Sequence, residues 1–581
     1  MNQEIVWEFS PVIDEEKTKR LQKELSIPFV IAKLLVNRGV DDYEKAKKFF
    51  RPSLKDLHNP FLMEDMDVAV DRVLLAIDKG EKILIYGDYD VDGTTSVALM
   101  YSYLRKLTPH IEHYQPDRYT EGYGISFQGV EYAKEHHFSL VISLDCGTKA
   151  VDKIAKANEY NIDFIIADHH TPGEKLPDAK AILNPKKTSC SYPFKELCGC
   201  GIGFKLIQAI QEKRQQPFEE ILSYLDLVAI AIGADIVPLV EENRVLAYYG
   251  LKQIEKTPRI GIKTMLESAK KTHDITVSDL VFKVAPRINA AGRIASARKA
   301  VELLLSESEE VAKEWTTLIN AYNDERKEID KTITQEALEI LNSPEYKDKK
   351  STVVSSDKWH KGVVGIVASR LIETHYKPTI VLVEQDGMAT GSARSVKGFD
   401  VYQAINQCGH LLERFGGHKY AAGLSLKLEN LEAFKNSFEE IVKNTISEEQ
   451  EQQTITIEAE LTPEDFRLDS STSIFPKFYR LLKQMAPFGP KNMRPVFVMR
   501  NLLDTGYSRV VGEEHLKFNL KSATNGMFFN GIGFGLGHKI NELSTEQPID
   551  IAFQVDENNY MNLIELQLLI KDFKPTVDKK E

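Results

Sequence analysis

Gly87-Asp88-Tyr89-Asp90-Val91-Asp92-Gly93 follows the apolar run KILIY at 82–86 and precedes TTSVALMYSYLRKL at 94–107, which has a helical pattern. Three carboxylates alternate at the end of a strand, where side chains at i and i+2 share a face. Like charges at that spacing cannot all stay ionised without cations. Hard divalent ions such as Mg²⁺ and Mn²⁺ favour carboxylate oxygens and relieve the repulsion. A calcium loop of the EF-hand type also opens DxDxDG, but it needs Glu at its twelfth position and a helix before it. Here the twelfth position is Leu99 and a strand precedes.

Three further apolar runs end in the same chemistry. SLVISL at 139–144 leads into Asp145, DFIIA at 163–167 into Asp168-His169-His170, and AIAIGA at 229–234 into Asp235. Between 82 and 240 such runs alternate with helical segments, and VAIAIGAD at 228–235 is a further candidate strand. Alternation of this kind predicts an α/β domain with a mostly parallel sheet. Ligands of such sheets bind at the carboxyl ends of the strands. Taken singly, Asp145 reads as a helix N-cap and His169 as a satisfied core histidine. Four chain-distant segments delivering carboxylate and imidazole to one edge point instead to a metal-binding site.

The flanking regions carry other patterns. Helices are expected over 17–25, 28–37 and 43–50. From 306 to 341 one helical stretch runs without Pro or Gly, on the order of 50 Å long at 1.5 Å per residue. Arg326 falls on or near its apolar stripe, which suggests a face that is not wholly buried. A polar break at 342–350 precedes a second α/β unit to about 444, and 448–453 is a further linker. The remainder alternates as antiparallel β, with a hairpin turn at Asn525-Gly526 and a second turn at 556–559, and predicts a small barrel.

With 42% hydrophobic and 28% charged residues, the chain has material for several cores. Its start lacks a basic segment followed by an apolar one, and the apolar run 225–237 is too short to span a bilayer and carries Asp226 and Asp235. The expectation is a cytoplasmic protein. The net charge of −12 argues against a general affinity for nucleic acid, but binding answers to local patches. One such patch is 283–299, with five basic residues and no acidic one. The five cysteines, with no secretory signal, predict reduced thiols rather than disulfides; Cys190, Cys198 and Cys200 lack the spacing of a zinc site.

GDYDVDGTT, LDCGT, ADHH and GADIVPL, in this order, resemble the four motifs of the DHH phosphoesterases. Trp359-His360-Lys361-Gly362, Gly391-Ser392-Ala393-Arg394-Ser395 and Phe415-Gly416-Gly417-His418 resemble the DHH-associated (DHHA1) domain. The resemblance implies a fold of parallel-sheet DHH domain, long connecting helix, α/β DHHA1 domain and C-terminal OB-fold β-barrel. The implied boundaries are 1–55 (N-terminal helical segment), 56–250 (DHH), 251–342 (basic motif and connecting helix), 343–446 (DHHA1) and 452–575 (barrel). Pyrophosphatases of the superfamily have His where this chain has Tyr86, and its oligoribonucleases are shorter and lack a barrel. The resemblance is to the branch of single-strand-specific 5′→3′ DNA exonucleases, which act in recombination and repair.

For the residues, the resemblance implies two divalent ions, Mn²⁺ or Mg²⁺, held by Asp90, Asp92, Asp145, His169 and Asp235, with Asp145 bridging and Asp88 in or beside the first site. Asp168 would orient its neighbours and His170 would contact the scissile phosphate. Arg287, Asn289, Arg293, Asn323, Arg326, His360, Ser392, Arg394, Ser395, Gly417 and His418 would hold the strand, with Arg287, Asn289, Ser392 and Arg394 at the 5′ phosphate. Phe488, Lys491, Arg494, Arg500, Lys517, Phe518 and Lys521 are candidate strand contacts of the barrel. Implied partners are single-stranded DNA, a single-stranded-DNA-binding protein and a RecQ-type helicase, with a monomer and no membrane. A noncatalytic scaffold and a nuclease for RNA or short oligonucleotides are the competing readings.

Overall fold

The computed structural model describes residues 4–256, 259–471, 473–560 and 563–577. They form two compact units: residues 52–446 with 487–492, and residues 1–51 with 447–486 and 493–581. The chain starts in the second of these, with β1 (Val6–Phe9) and helices Glu15–Leu25, Phe29–Asn37 and Tyr43–Phe50. Asp14 and Asp42 cap the first and third helices by accepting the Lys17 and Lys45 N–H groups. The segment expected as helical thus carries a strand too. β1 runs parallel to β12 (Thr454–Ile457), so residues 1–51 belong with the barrel that follows.

In the larger unit, β2 (Ile83–Gly87), β3 (Ile111–Tyr114), β4 (Leu140–Leu144), β5 (Asp163–Ala167) and β6 (Ala181–Leu183) form an all-parallel sheet in the order β3-β2-β4-β5-β6. β2 and β4 are buried along their whole length, as strands covered on both faces by helices must be. From β2 the chain crosses to β3 on one side, and from β4 to β5 on the other. The crevice at this switch lies between the carboxyl ends of β2 and β4, where Asp88 to Asp92 and Asp145 emerge.

The run 228–235 is not a strand. It forms the end of the helix Leu225–Ala234, with Asp235 as its C-cap. Every residue from Leu225 to Gly233 is buried, so the helix shows no polar face and its period is invisible in the sequence.

The helix Gly199–Lys213 crosses beneath the site and is anchored by a buried charge. Lys205 Nζ lies 3.1 Å from Glu242 Oε1 and donates to the His58 carbonyl at 2.6 Å. Glu242 also accepts from the His58 N–H and the Tyr192 hydroxyl, at 2.9 and 2.6 Å.

The long helix, Glu309–Leu341, begins on the Ser308 cap and serves two cores. Ala312 and Ile319 pack with the parallel-sheet core, which also takes in Ile262 to Leu304. Ile333, Ala337 and Leu341 pack with Val363, Val367 and Leu371 of the second lobe. That lobe contains β7 (Thr352–Ser356), β8 (Thr379–Gln385), β9 (Met388–Arg394), β10 (Arg414–His418) and β11 (Ala421–Lys427), in the order β10-β11-β9-β8-β7. Only β7 and β8 are parallel among the pairs of this sheet.

After β13 (Ala459–Glu460), the strands β14 (Phe497–Asp504), β16 (His515–Ser522), β17 (Phe528–Gly533), β18 (Ile549–Tyr560) and β19 (Leu563–Pro575) close a ring, with β15 (Arg509–Val511) added to β16. The β16–β17 hairpin turns at Gly526, as its sequence predicts. Residues 556–559, expected as a second turn, instead continue β18 in register with β19. Phe518 is fully buried in the ring and cannot stack on a base, and Arg500 is committed to Asp550 at 2.7 Å and Glu460 at 3.1 Å.

Removing one partner of a buried ion pair strands the other charge, at about 3–5 kcal/mol. Glu242→Ala is therefore expected to lower the unfolding free energy by that order, as read by urea unfolding. A loss below about 1 kcal/mol, the level of a surface pair, would contradict it.

Candidate functional site

Asp88, Asp92, Asp145 and Asp168 are all buried, and each leaves a parallel strand or starts the helix after it. Asp90 caps the helix Val91–Leu104 through the Gly93 N–H at 3.0 Å. Asp92, one turn in, accepts the Gly199 and Cys200 N–H groups at 2.6 and 2.7 Å, from the first turn of Gly199–Lys213. That approach requires glycine: a Cβ at Gly199 would lie 2.6 Å from the Asp145 Cβ. Asp145 holds a left-handed backbone at φ 61. The five cysteines are free and buried; Cys198 caps this same helix through the Gly201 N–H.

His169 Nε2 is the meeting point. It lies 3.2 Å from Asp145 Oδ1, 3.6 Å from Asp235 Oδ2 and 3.9 Å from Asp92 Oδ2. Asp92, His169 and Asp235 can share one ion, as can Asp145, His169 and His170. Asp88 accepts the Gly124 N–H at 3.3 Å. Among the described residues, buried Asp88 Oδ2, Asp145 Oδ1 and His169 Nε2 have no hydrogen-bond partner. Three lone-pair atoms left unsatisfied in one crevice are costly unless a cation takes them. Asp235 adds to the argument, because the C-terminus of its helix carries a partial negative charge of its own. The donor set, hard carboxylates with imidazole, fits Mn²⁺ or Mg²⁺.

Burial, with repulsion from Asp90, pushes Asp92 to about 7 against the Cys200 and Gly199 amides, and burial with the charges of Asp92 and Asp90 pushes Asp235 to about 8. Asp88 and Asp145 rise well above the usual range for the same reasons. The two histidines diverge. Burial, reinforced by the His170 charge, lowers His169 to about 3, leaving a neutral imidazole suited to a metal. Burial also opposes charge on His170, but the hydrogen bond to Asp168 wins and raises its pKa.

Asp168 is held for that purpose. It accepts His170 Nδ1 at 2.7 Å, the His170 N–H at 3.1 Å and the Thr148 N–H at 2.9 Å. Burial alone would raise it, yet these bonds keep it below the usual carboxylate range. Asn184 bonds both Thr148 Oγ1 and the His170 carbonyl, at 3.0 and 2.9 Å. His170 Nε2 is left facing the crevice, 3.0 Å from the Tyr123 hydroxyl.

A cationic pocket adjoins this centre. Burial and the charges of Arg118, Arg326 and Arg394 lower Arg293 to about 10. Arg293 donates to the Gly362 carbonyl at 2.7 Å, and its own carbonyl accepts the Tyr119 hydroxyl. His360 closes the same loop by accepting the Gly362 N–H at 3.1 Å. Arg394 donates to the Ala393 carbonyl, and Gly365 packs against Arg394 and Ser392. Arg326 donates to buried Asn323 at 2.9 Å. Four clustered guanidiniums call for an anion, which a phosphate supplies. His418, at the end of β10, is within electrostatic reach of His170, Lys149 and Lys186. Gly417 beside it has φ 149, and a Cβ there would lie 2.5 Å from the Ala422 Cα.

Other sequence candidates lie outside this cluster. Arg287 is turned to Asn320 at 2.7 Å, one turn before Asn323 on the long helix. Asn289 shares its helix, Ala285–Ile294, and is half-buried. Ser395 spends its hydroxyl on the Phe399 carbonyl. Conversely, sequence reasoning passed over Arg118, Tyr123, Thr148, Asn184 and the Gly199–Cys200 amides. Arg118, stacked over Tyr89 at 4.5 Å, sits in the loop after β3, and a basic residue at that sheet edge was a usable signal. Backbone amides carry no residue signature.

Residues 82–232 match the profile of the DHH family, N-terminal domain; 348–444 match the DHHA1 domain and 459–572 the RecJ OB domain. The chain is 37% identical over 563 residues to the single-stranded-DNA-specific exonuclease RecJ of Bacillus subtilis, covering 96% of this chain and 70% of that one. It is 30% identical to the Escherichia coli protein of the same name, covering 96% and 98%. Among solved structures, Thermus thermophilus RecJ in complex with Mn²⁺ superimposes with a TM-score of 0.83 at 25% identity, over 99% of this chain and 80% of that one. No helix among the described residues is long and apolar enough to cross a membrane.

The raised carboxylates make a signed prediction. Native Asp92 and Asp235 retain protons that the unfolded chain, with carboxyls near their ordinary value of 3.8, has released. Their contribution to stability is full below about 4 and is lost as pH rises through 7 to 8. Bound cations reverse that loss. The rise in Tm on adding Mn²⁺ to chelator-treated protein is expected to be larger at pH 8.5 than at pH 5.5 by differential scanning fluorimetry. An equal or smaller rise at pH 8.5 would contradict the assignment.

Proposed function

The chain belongs to the RecJ family of single-stranded-DNA-specific exonucleases, and on that footing we propose that it releases mononucleotides from the 5′ end of single-stranded DNA. The observation that carries this reading is the convergence of Asp92, Asp145, His169 and Asp235 around buried atoms that lack partners. Asp88 and Asp90 complete the set that would hold two divalent ions. When bound, the ions would supply an activated water and Lewis-acid stabilisation of the phosphoryl oxygens.

The protein's own groups have distinct tasks in this proposal. His169, neutral, offers Nε2 as a ligand, while His170, whose pKa the Asp168 carboxylate raises, would donate from Nε2 to the scissile phosphate. Arg118, Arg293, Arg394 and Ser392 receive the terminal 5′ phosphate, and Gly417 and His418 approach the strand from the second lobe. Asn323 and Arg326 bind the strand from the long helix, with Arg287, Asn289, His360 and Ser395 supporting these contacts. A channel between the two lobes admits one strand and excludes duplex. Roles in recombination and repair, action as a cytoplasmic monomer, and partnership with a single-stranded-DNA-binding protein and a RecQ-type helicase rest on family membership alone.

The test is digestion of 5′- and 3′-labelled single strands, duplex and RNA with Mn²⁺, Mg²⁺ or EDTA. Mononucleotide release from the 5′ end of single-stranded DNA alone, blocked by EDTA, is expected. Release from the 3′ end, or equal use of RNA, would overturn the reading. Asp145→Ala is expected to abolish turnover while the fold persists by circular dichroism, and retained turnover would remove Asp145 from the centre. Arg394→Ala should raise KM for 5′-phosphorylated strands by about tenfold, the scale of one charged hydrogen bond, and leave 5′-hydroxyl strands little changed. An equal loss on both ends would count against the phosphate assignment.

A further inference from the structure

Along the long helix the buried stripe changes character midway. Ile319 closes the part packed with the first lobe, and Ile333 opens the part packed with the second. Between them the inward positions are Asn323, Arg326 and Asp330. Asp330 is fully buried, although it sits in a helix rich in exposed charges. Among the described residues neither of its oxygens accepts an aligned hydrogen bond, and Arg326 Nε is likewise buried without a partner. Two cations face this carboxylate: Arg370 Nη2 at 2.9 Å, from the second-lobe helix Val364–Thr374, and Arg326 Nη1 at 4.0 Å. A buried carboxylate that rests on one ion pair is expensive, and a stability role alone would be served as well by an apolar residue.

We propose that Asp330 is a positioning residue for Arg326, a shared counter-ion that Arg370 occupies so that the Arg326 guanidinium stays turned toward Asn323 and the strand. Arg370 saturates the carboxylate at ion-pair distance and leaves Arg326 one step away, close enough to be oriented and too far to be neutralised. The inference rests on the nucleolytic reading above. It adds two residues, Asp330 and Arg370, that tie strand binding to the junction between the lobes.

The experiment is a double-mutant cycle on a 5′-phosphorylated single strand with Mn²⁺, using Asp330→Asn, Arg326→Ala and the double variant. Wild-type turnover in the same assay tests the nucleolytic reading; only differences among variants bear on Asp330. Asp330→Asn is expected to raise KM about five- to tenfold, within the range of coupled pairs, with kcat within about twofold. In the double variant KM should be no worse than in Arg326→Ala alone. Penalties that multiply, or an unchanged KM in Asp330→Asn, would overturn the proposal. Should Asp330→Asn fail to fold, Arg370→Gln decides, since Arg370 is 47% exposed and its loss does not empty the core. There Arg326 is expected to close on Asp330 and KM to rise. An unchanged KM in that folded variant would refute the mechanism.

Discussion

Shielded carboxylates whose desolvation and mutual repulsion outweigh the positive charge nearby set the terms for the rest of this chain. Asp88, Asp92 and Asp145 sit where water cannot screen them and Asp235 is partly shielded, so desolvation and repulsion together lift their affinity for protons. A fold that tolerates this must hold the groups rigidly, or they would swing apart into solvent. The parallel sheet does so by ending β2, β4 and β5 at one crevice. The helix Gly199–Lys213 does so by aiming two amides at Asp92, and the buried Lys205–Glu242 pair fixes that helix from beneath.

The same economy governs the two histidines. They are adjacent in the chain, His169 buried and His170 partly so, yet one is driven neutral and the other toward its charged form. The difference is the Asp168 carboxylate, which bonds His170 and leaves His169 to the acidic cluster. On the proposed function, neighbouring imidazoles thus divide ligand and donor roles through one carboxylate, itself kept ionised by His170 and Thr148.

Much of this was legible in the residues, and the exceptions are physical. Asp88 to Asp92, Asp145 and Asp168 to His170 announce themselves because each ends an apolar run. Asp235 also ends one, but its run is a helix buried on all sides, and such a helix looks like a strand. Phe518 has the composition of a base-stacking residue, but alternation along β16 turns it inward, and that depends on register no local pattern reports. Residues 556–559 carry turn-forming Asp and Asn, yet cross-strand pairing carries β18 through them. Arg118 and the Gly199–Cys200 amides matter through what the fold brings beside them. The buried stripe of the long helix lies between these cases: Arg326 on the apolar side was visible, while Asp330 beneath it was not.

A single helix shared by two cores also acts as a gauge. One part of it packs with the core that carries the acidic crevice and another with the lobe that carries Arg394, so on the proposed function the span between cutting point and anchored terminus is held by one stiff rod. On the proposed chemistry, the size of the released fragment is then set by architecture and is indifferent to base sequence.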